Sequence, residues 1–366
     1  MSKTSEIYRI ALSKLNGIGP IRAAQVLSKL ENINFLFEST LQEIKIQTGL
    51  SESFLRALKR EEAINLAEKQ LDFNHKNGIS THFFLDSTYP RRLRQCIDAP
   101  IVLYCRGEDL LNSRRMLAIV GSRMHSSYGT ELIKELTLGL SESGVVTVSG
   151  LALGIDSVAH DYSIKNNIPT VAILGSGLNQ VFPKRNTKLA QEILAHGGAL
   201  LSEYSVFSKP VRENFPVRNR IVAGLSDATI VVESREKGGA LITADLANDY
   251  NRDVFAYPGS VHQQYSAGCN ALIRQQKAHL VTNSSDILSM LGWDKARPRQ
   301  QELSLPVNLT PEEKLLISIL KQHESLYMDE LVIQSCIPTS QLHGLLLGLE
   351  LKGQIGRTSG TKYRIN

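Results

Sequence analysis

Seven short apolar runs punctuate residues 116–283: MLAIVG (116–121), VVTVSG (145–150), TVAILG (170–175), ALLSEY (199–204), ATIVVES (228–234), DVFAYPG (253–259) and AHLVTN (278–283). Each is flanked by Gly, Pro, Ser or Asn, and helical patterns such as ELIKELTLGLSESG (131–144) fill the intervals. A strand that is apolar along its whole length must be covered on both faces, because a half-exposed strand alternates with polar residues. Crossovers long enough to hold a helix join parallel strands. The pattern therefore predicts an α/β fold built on a parallel sheet.

The chain around this region has 366 residues, enough for two or three domains, and 42% of them are hydrophobic, enough for a sizeable core. Residues 1–83 read as short helices with polar breaks, and 84–292 hold the sheet. A polar, proline-bearing linker is expected over 293–308, carrying KARPRQQELSLPVN (295–308). The last stretch, 309–366, reads as three helices closed by a short hairpin, in the order of a winged helix, with Thr310 as N-cap and Pro311 at the first helical position. No window has the length of a membrane-crossing helix, so no membrane association is expected. The opening MSKTSEIYRIALSKL is polar and then amphipathic, unlike a signal peptide. Cys96, Cys105, Cys269 and Cys336 are scattered, with no grouping at metal spacing. These features predict a reduced cytoplasmic protein without structural metal.

Ligands of open parallel sheets bind outside the carboxyl ends of the strands. The residues after each predicted strand are accordingly the candidates. They are Gly121, Ser122 and Arg123; Gly150 and Gly154; Gly175 and Gly177, followed by Lys184, Arg185 and Asn186; and Gly238 and Gly239. Before the fifth run comes FPVRNRIVAG (215–224), with Arg218, Asn219 and Arg220 at a helix start. A helix start already carries partial positive charge, so cations there imply an anion nearby. A glycine after a strand is ordinarily a tight turn; here several such turns and a set of cations converge on one sheet edge. Bare backbone at such turns can approach phosphate. The net charge of +5 permits a polyanionic partner.

Catalytic chemistry is weakly supported. The chain lacks GxGxxG, GxxxxGK[ST] and GxSxG. Asp156 and His160 lie four apart on one helix face, and Glu203 and Glu233 end strands. All four are expected to brace structure. No catalytic residue, metal or cofactor is assigned.

Read in order, VGSR (120–123), SGLALGIDSVAH (149–160), LGSGLNQVFPKRN (174–186), GGALLSEY (197–204), FPVRNRIVAGLS (215–226), VVESREKGGALITADLA (231–247), AYPG (256–259) and GCNALIRQQKA (268–278) resemble the signature set of the DNA processing protein A (DprA/Smf) family. Phe182 departs from a usual Tyr, and Lys237-Gly238-Gly239 from a usual Ser-Gly pair, without loss of charge or turn. The resemblance implies an extended Rossmann-like domain, a small SAM-like helical domain before it, and in many members a winged helix after it. It implies a non-enzymatic, single-stranded-DNA-binding protein that protects incoming DNA and helps load the RecA recombinase in natural transformation. It also implies homodimers formed through the Rossmann-like domain. By position, the family's basic pocket falls on Arg123 and Lys184, with Asn219 and Arg220 as further candidates. Arg218 and Arg220, two apart, cannot face the same way on a helix; one is expected to meet DNA, with Arg220 the first choice, and the other to brace a loop.

Two flanking features stay open. LNGIGPIRAAQVL (15–27) is either a helix-hairpin-helix turn facing DNA or a plain packing element. The winged-helix candidate TSQLHGLLLGLELKG (339–353) is poor in base-reading side chains and better suited to protein contacts. The competing class is a nucleotide-binding enzyme that cleaves nucleoside monophosphates; its PGGxGTxxE motif is replaced here by YPGSVHQQ (257–264).

Overall fold

A computed structural model describes residues 3–294, 309–321, 323, 325–352, 354–358 and 362–365, in two compact units divided between Lys295 and Ala296. The expected linker thus lies, apart from Trp293 and Asp294, outside the described residues, and Trp293 is buried in the core of the first unit. Among the described residues no helix is long and apolar enough to cross a membrane.

The first unit opens with helices α1 (Lys3–Leu12), α2 (Pro20–Leu27), α3 (Ile33–Glu38), α4 (Leu41–Thr48), α5 (Glu52–Ala57) and α6 (Arg60–Lys76). Asn32, Thr40 and Ser51 accept hydrogen bonds from the first-turn amides of the helices they precede, and Thr40 with Glu43 completes a capping box. Each cap satisfies a donor that the helix itself leaves free. Then come β1 (Ile79–Phe83), α7 (Arg91–Arg94) and β2 (Val102–Gly107), the two strands pairing antiparallel.

All seven apolar runs form strands: β3 (Arg115–Val120), β4 (Val145–Ser149), β5 (Thr170–Ile173), β6 (Ala199–Ser202), β7 (Ala228–Val231), β8 (Asp253–Ala256) and β9 (His279–Leu280). The helices between them are α8 (Ser127–Leu140), α9 (Ile155–Lys165), α10 (Thr187–Ala195), α11 (Asn214–Leu225), α12 (Gly239–Asp249) and α13 (Ala267–Arg274), and α14 (Ser284–Met290) follows β9. The nine strands make one sheet in the order β1-β2-β6-β5-β4-β3-β7-β8-β9, parallel from β6 to β9. β2 joins β6 antiparallel. The order reverses at β3, which sits between β4 and β7. That reversal places the ligand crevice at the carboxyl ends of β3, β4 and β7.

Alternate residues of β3 enter different cores. Leu117 and Ile119 pack with α8, α9 and α14, while Met116, Ala118 and Val120 pack with α11, α12 and α13. A third core joins the N-terminal helices to the sheet, with Ile10, Leu36 and Leu71 meeting Tyr104, Leu174 and Leu200. The segment read from sequence as helical thus ends in an edge strand of the large sheet. Gln70 of α6, fully buried, accepts hydrogen bonds from Ser205 Oγ (2.6 Å) and the Val206 amide (3.0 Å) beyond β6.

The second unit comprises α15 (Pro311–Leu320), β10 (Leu326–Tyr327), α16 (Met328–Ser335), α17 (Thr339–Leu351), β11 (Ile355–Thr358) and β12 (Lys362–Ile365), with the strands in the order β10-β12-β11. Thr310 caps α15 in a box with Glu313, and Pro311 opens the helix. Leu316, Leu331, Leu342 and Leu346 form its core.

Candidate nucleic-acid interface

Two adjoining cavities open along the carboxyl edge of the sheet. The smaller, about 360 Å³, is lined by the Gly121–Met124 turn, Gly150, Asp156, Arg218, Asn219, Arg235 and the Gly238–Thr243 start of α12. The larger, about 700 Å³, is lined by Leu153, Phe182, Pro183, Pro210, Val211 and Arg212. Arg123, Gly150, Ala152, Phe215, Pro216 and Arg218 border both, so the two form one groove.

The Gly121–Arg123 turn is held from three sides. The Ser122 amide donates to the Glu233 carbonyl at 2.7 Å, and the Ile155 amide donates to the Ser122 carbonyl at 3.1 Å. Ser122 Oγ accepts from the Met124 amide at 3.1 Å. A Cβ at Gly154, where φ is +85°, would stand 2.2 Å from the Ser122 carbonyl oxygen, so only glycine lets α9 start against this turn. Arg123 leaves the pinned turn exposed to solvent. Lys184 and Arg185 follow Phe182-Pro183 in a single 3₁₀ turn, both exposed, though neither lines either cavity.

The remaining sequence candidates divide sharply. Arg218, only 3% exposed, turns its guanidinium inward and donates to the carbonyls of Gly150 and Ile173, at the ends of β4 and β5. Burial lowers its pKa to about 10, which leaves it charged at neutral pH. Arg220 lies away from the groove. It pairs with Glu203 and donates to the Asp98 carbonyl at 2.6 Å. The expectation that Arg220 meets phosphate is therefore corrected: its charge is paired with the half-buried Glu203 carboxylate.

Asn186 is also internal, donating through Nδ2 to the Leu151 carbonyl at 2.8 Å and to Ser157 Oγ at 2.9 Å. Several of the glycines have protein close on the side where a Cβ would stand. A Cβ at Gly150 would meet the Arg218 guanidinium, one at Gly175 the Phe215 ring, and one at Gly177 the Ser205–Val206 backbone. These glycines allow close packing, and Gly150 also lines both cavities. Gly239 differs, with no atom within 4 Å of where a Cβ would stand.

The four polar groups near the turns have structural surroundings. Glu233 accepts from the Ser126 amide (2.8 Å) and Ser126 Oγ (2.6 Å), fixing the loop after Arg123. Fully buried His160 sits 2.7 Å from Thr170 Oγ1, and burial pushes its pKa down to about 3, so it is neutral at physiological pH. Asp156 accepts from the Ala152 amide at 3.4 Å; burial raises its carboxyl pKa, and Arg218 opposes that rise. Among the described residues no group of three His, Cys, Asp or Glu side chains could hold a metal ion.

Sequence reasoning weighed cations and passed over aromatics. Phe182, 52% exposed, and Phe215 bring their ring centroids to 5.1 Å on the wall of the larger cavity. Arg212 and Arg235, both exposed, add charge at the two ends of the groove. A signal was present: FPKRN (182–186) and FPVRN (215–219) repeat one pattern, and each supplies one ring of the pair.

The fold and groove define an α/β protein with a cationic, aromatic-lined cleft at the switch point of its sheet. The family model described as DNA recombination-mediator protein A matches residues 80–292, and that of the DprA winged helix domain matches 299–361. The chain belongs to the DNA processing protein A (DprA/Smf) family. It is similar to Protein Smf of Escherichia coli, 33% identical over 97% of this chain and 94% of that protein. Among solved structures, DprA of Streptococcus pneumoniae aligns with a TM-score of 0.66 and 34% identity, covering 79% of this chain and 98% of the other. DprA of Helicobacter pylori, a single-stranded-DNA binder, aligns with a TM-score of 0.53 and 32% identity over 59% of this chain and 96% of the other.

Proposed function

We propose that the groove binds single-stranded DNA and that the protein acts without catalysis, as a recombination mediator. The carrying observation is the Phe182–Phe215 pair, partly exposed on the groove wall with Arg123 and Arg212 lining the same cavity and Lys184 exposed two residues beyond Phe182. Rings stack on any base, and exposed cations meet any phosphate, so this combination favours a single strand of any sequence. Paired bases in a duplex keep their faces from such rings. The H. pylori relative, a single-stranded-DNA binder, supports the same reading.

Protection of incoming DNA, assistance in loading RecA during natural transformation, assembly as a homodimer and a cytoplasmic location complete the proposal, and they rest on family membership. Absence of turnover rests on the surroundings of Asp156, His160, Glu203 and Glu233, each committed to an internal hydrogen bond or ion pair. Purified protein is expected to release neither phosphate nor base from ATP, nucleoside monophosphates or DNA. Turnover that vanishes in a His160→Ala/Glu233→Gln variant would reverse that assignment. The binding proposal is tested by fluorescence anisotropy with labelled oligonucleotides, single-stranded and duplex, over a salt series. The single strand should bind more tightly, with a log–log salt slope of about 0.7 per phosphate neutralised. Equal affinity for a duplex of the same length rejects it.

A further inference from the structure

The aromatic pair on the groove wall has a counterpart outside the groove. Phe207, 52% exposed, meets the ring of Phe73 on α6 edge to face, with centroids 6.4 Å apart and planes at 74°. Neither ring lines the two cavities. The segment that carries Phe207, FSKPVR (207–212), again joins a phenylalanine to proline and cations, as FPKRN and FPVRN do.

A single exposed apolar side chain is ordinary on a protein surface; the charge around this one is not. Lys69 and Lys76 lie four residues before and three after Phe73, so all three share one side of α6. Ala63, Ala67, Gln70, Leu71 and Asn74 occupy the buried side. Both lysines are exposed, and so is Lys209, two residues beyond Phe207. Two acids of the same helix have cations of their own, Asp72 with Lys3 at 3.9 Å and Glu62 with Lys59 at 3.0 Å. The surface is also continuous with the groove. Pro210, Val211 and Arg212 belong to the wall of the larger cavity, and the chain from Phe207 to Arg212 spans at most about 18 Å even when fully extended.

We propose that a single strand leaves the groove over Arg212 and continues onto α6, stacking a base on Phe207 with its phosphates beside Lys209, Lys69 and Lys76. The occupant is the polymer that the groove takes, because the surface repeats the chemistry of the groove, a ring for bases and cations for phosphates. A ring set among lysines suits a polyanion better than a protein, whose interfaces are poor in lysine. The inference rests on the strand-binding reading of the groove. It adds a second platform, built in part by the N-terminal helices.

The test uses the full chain and anisotropy with two oligothymidylates, one of about 6 nucleotides and one of about 20, near the lower limit of single-strand site sizes and beyond their upper one. Phe207→Ala should weaken the long strand at least about fivefold, the low end of one lost base–ring stack, and leave the short strand at wild-type affinity. Phe207→Tyr, which keeps the ring, should bind both as the wild type does. The double variant Lys69→Ala/Lys76→Ala should lower the salt slope for the long strand by about 1.4, at about 0.7 per phosphate, and leave the short-strand slope unchanged. Phe182→Ala, inside the groove, should weaken both strands. Wild-type behaviour with the long strand in either the Phe207→Ala or the double-lysine variant overturns the proposal and leaves strand binding intact. A loss of equal size at both lengths also overturns it, since that loss belongs to support of the groove wall. If the wild-type chain binds neither strand, the underlying reading fails and the second platform with it.

Discussion

Replacing Arg220 with methionine should weaken the fold and leave DNA binding unchanged. Its guanidinium pairs with Glu203 and donates to the Asp98 carbonyl at 2.6 Å, and the side chains of Arg220 and Glu203 are only 11% and 16% exposed. Met fills the aliphatic volume but strands the carboxylate. Removing one partner of a buried ion pair costs about 3–5 kcal/mol, because the remaining charge is neither solvated nor paired. For a unit of this size that corresponds to a melting temperature lower by about 10 °C. The loss should depend on pH. Burial already raises the Glu203 carboxyl pKa, and Arg220 opposes the rise. Without the arginine the folded-state pKa climbs further above its unfolded value, so stability is retained at low pH and lost as pH rises through the folded pKa. Melts followed by circular dichroism at pH 7.5 and pH 5.5 should show the larger deficit at the higher pH. Anisotropy at 20 °C should give wild-type affinity and salt slope. A normal melt with weakened binding and a flattened slope would place Arg220 on a phosphate and refute the reasoning.

Arg123→Ala and Lys184→Ala should each weaken binding to all sequences and lower the salt slope by about 0.7, measured by anisotropy, with unchanged circular dichroism. Phe215→Ala or Phe182→Ala should cost about 1–3 kcal/mol of strand affinity with no change in salt slope, because stacking neutralises no phosphate. His160 is neutral in the fold with its pKa near 3, against about 6.5 unfolded. The unfolded chain binds the extra proton, so this residue should destabilise the protein progressively as pH falls from about 6.5 toward 3. His160→Gln should flatten that part of the pH–stability curve in urea titrations.

The seven parallel strands were legible because burial on both faces leaves a continuous apolar run in each. β1 (ISTHF) and β2 (VLYCRG) were not: they lie at the antiparallel end of the sheet, and their mixed composition carries neither clear period. The groove was legible as a place, since strand ends locate it, but the inventory of residues was mixed. Arg123 and Lys184 reach solvent as expected. The charge in FPVRNR did announce partners, yet those partners are strand-end carbonyls and a half-buried glutamate. Backbone carbonyls leave no mark in a sequence, so nothing in the residues distinguishes an arginine that meets them from one that meets phosphate. The glycine turns are ambiguous for a related reason: a missing Cβ shows that something comes close, without saying whether it is ligand or protein.

The grip of Gln70 on Ser205 and Val206 has a consequence for the groove. The loop that follows supplies Pro210, Val211 and Arg212 to the wall of the larger cavity and ends at the first turn of α11. It is thus clamped at both ends, by the Gln70 amide at one and by a packed helix at the other. Gln70 is itself braced through Asn74 (2.7 Å) to Thr81 of the edge strand (3.1 Å from Asn74). The wall behaves as a beam with fixed supports, and one support stands on the N-terminal helices. Those helices set the width of the groove, so a change at a fully buried glutamine is felt at its far wall.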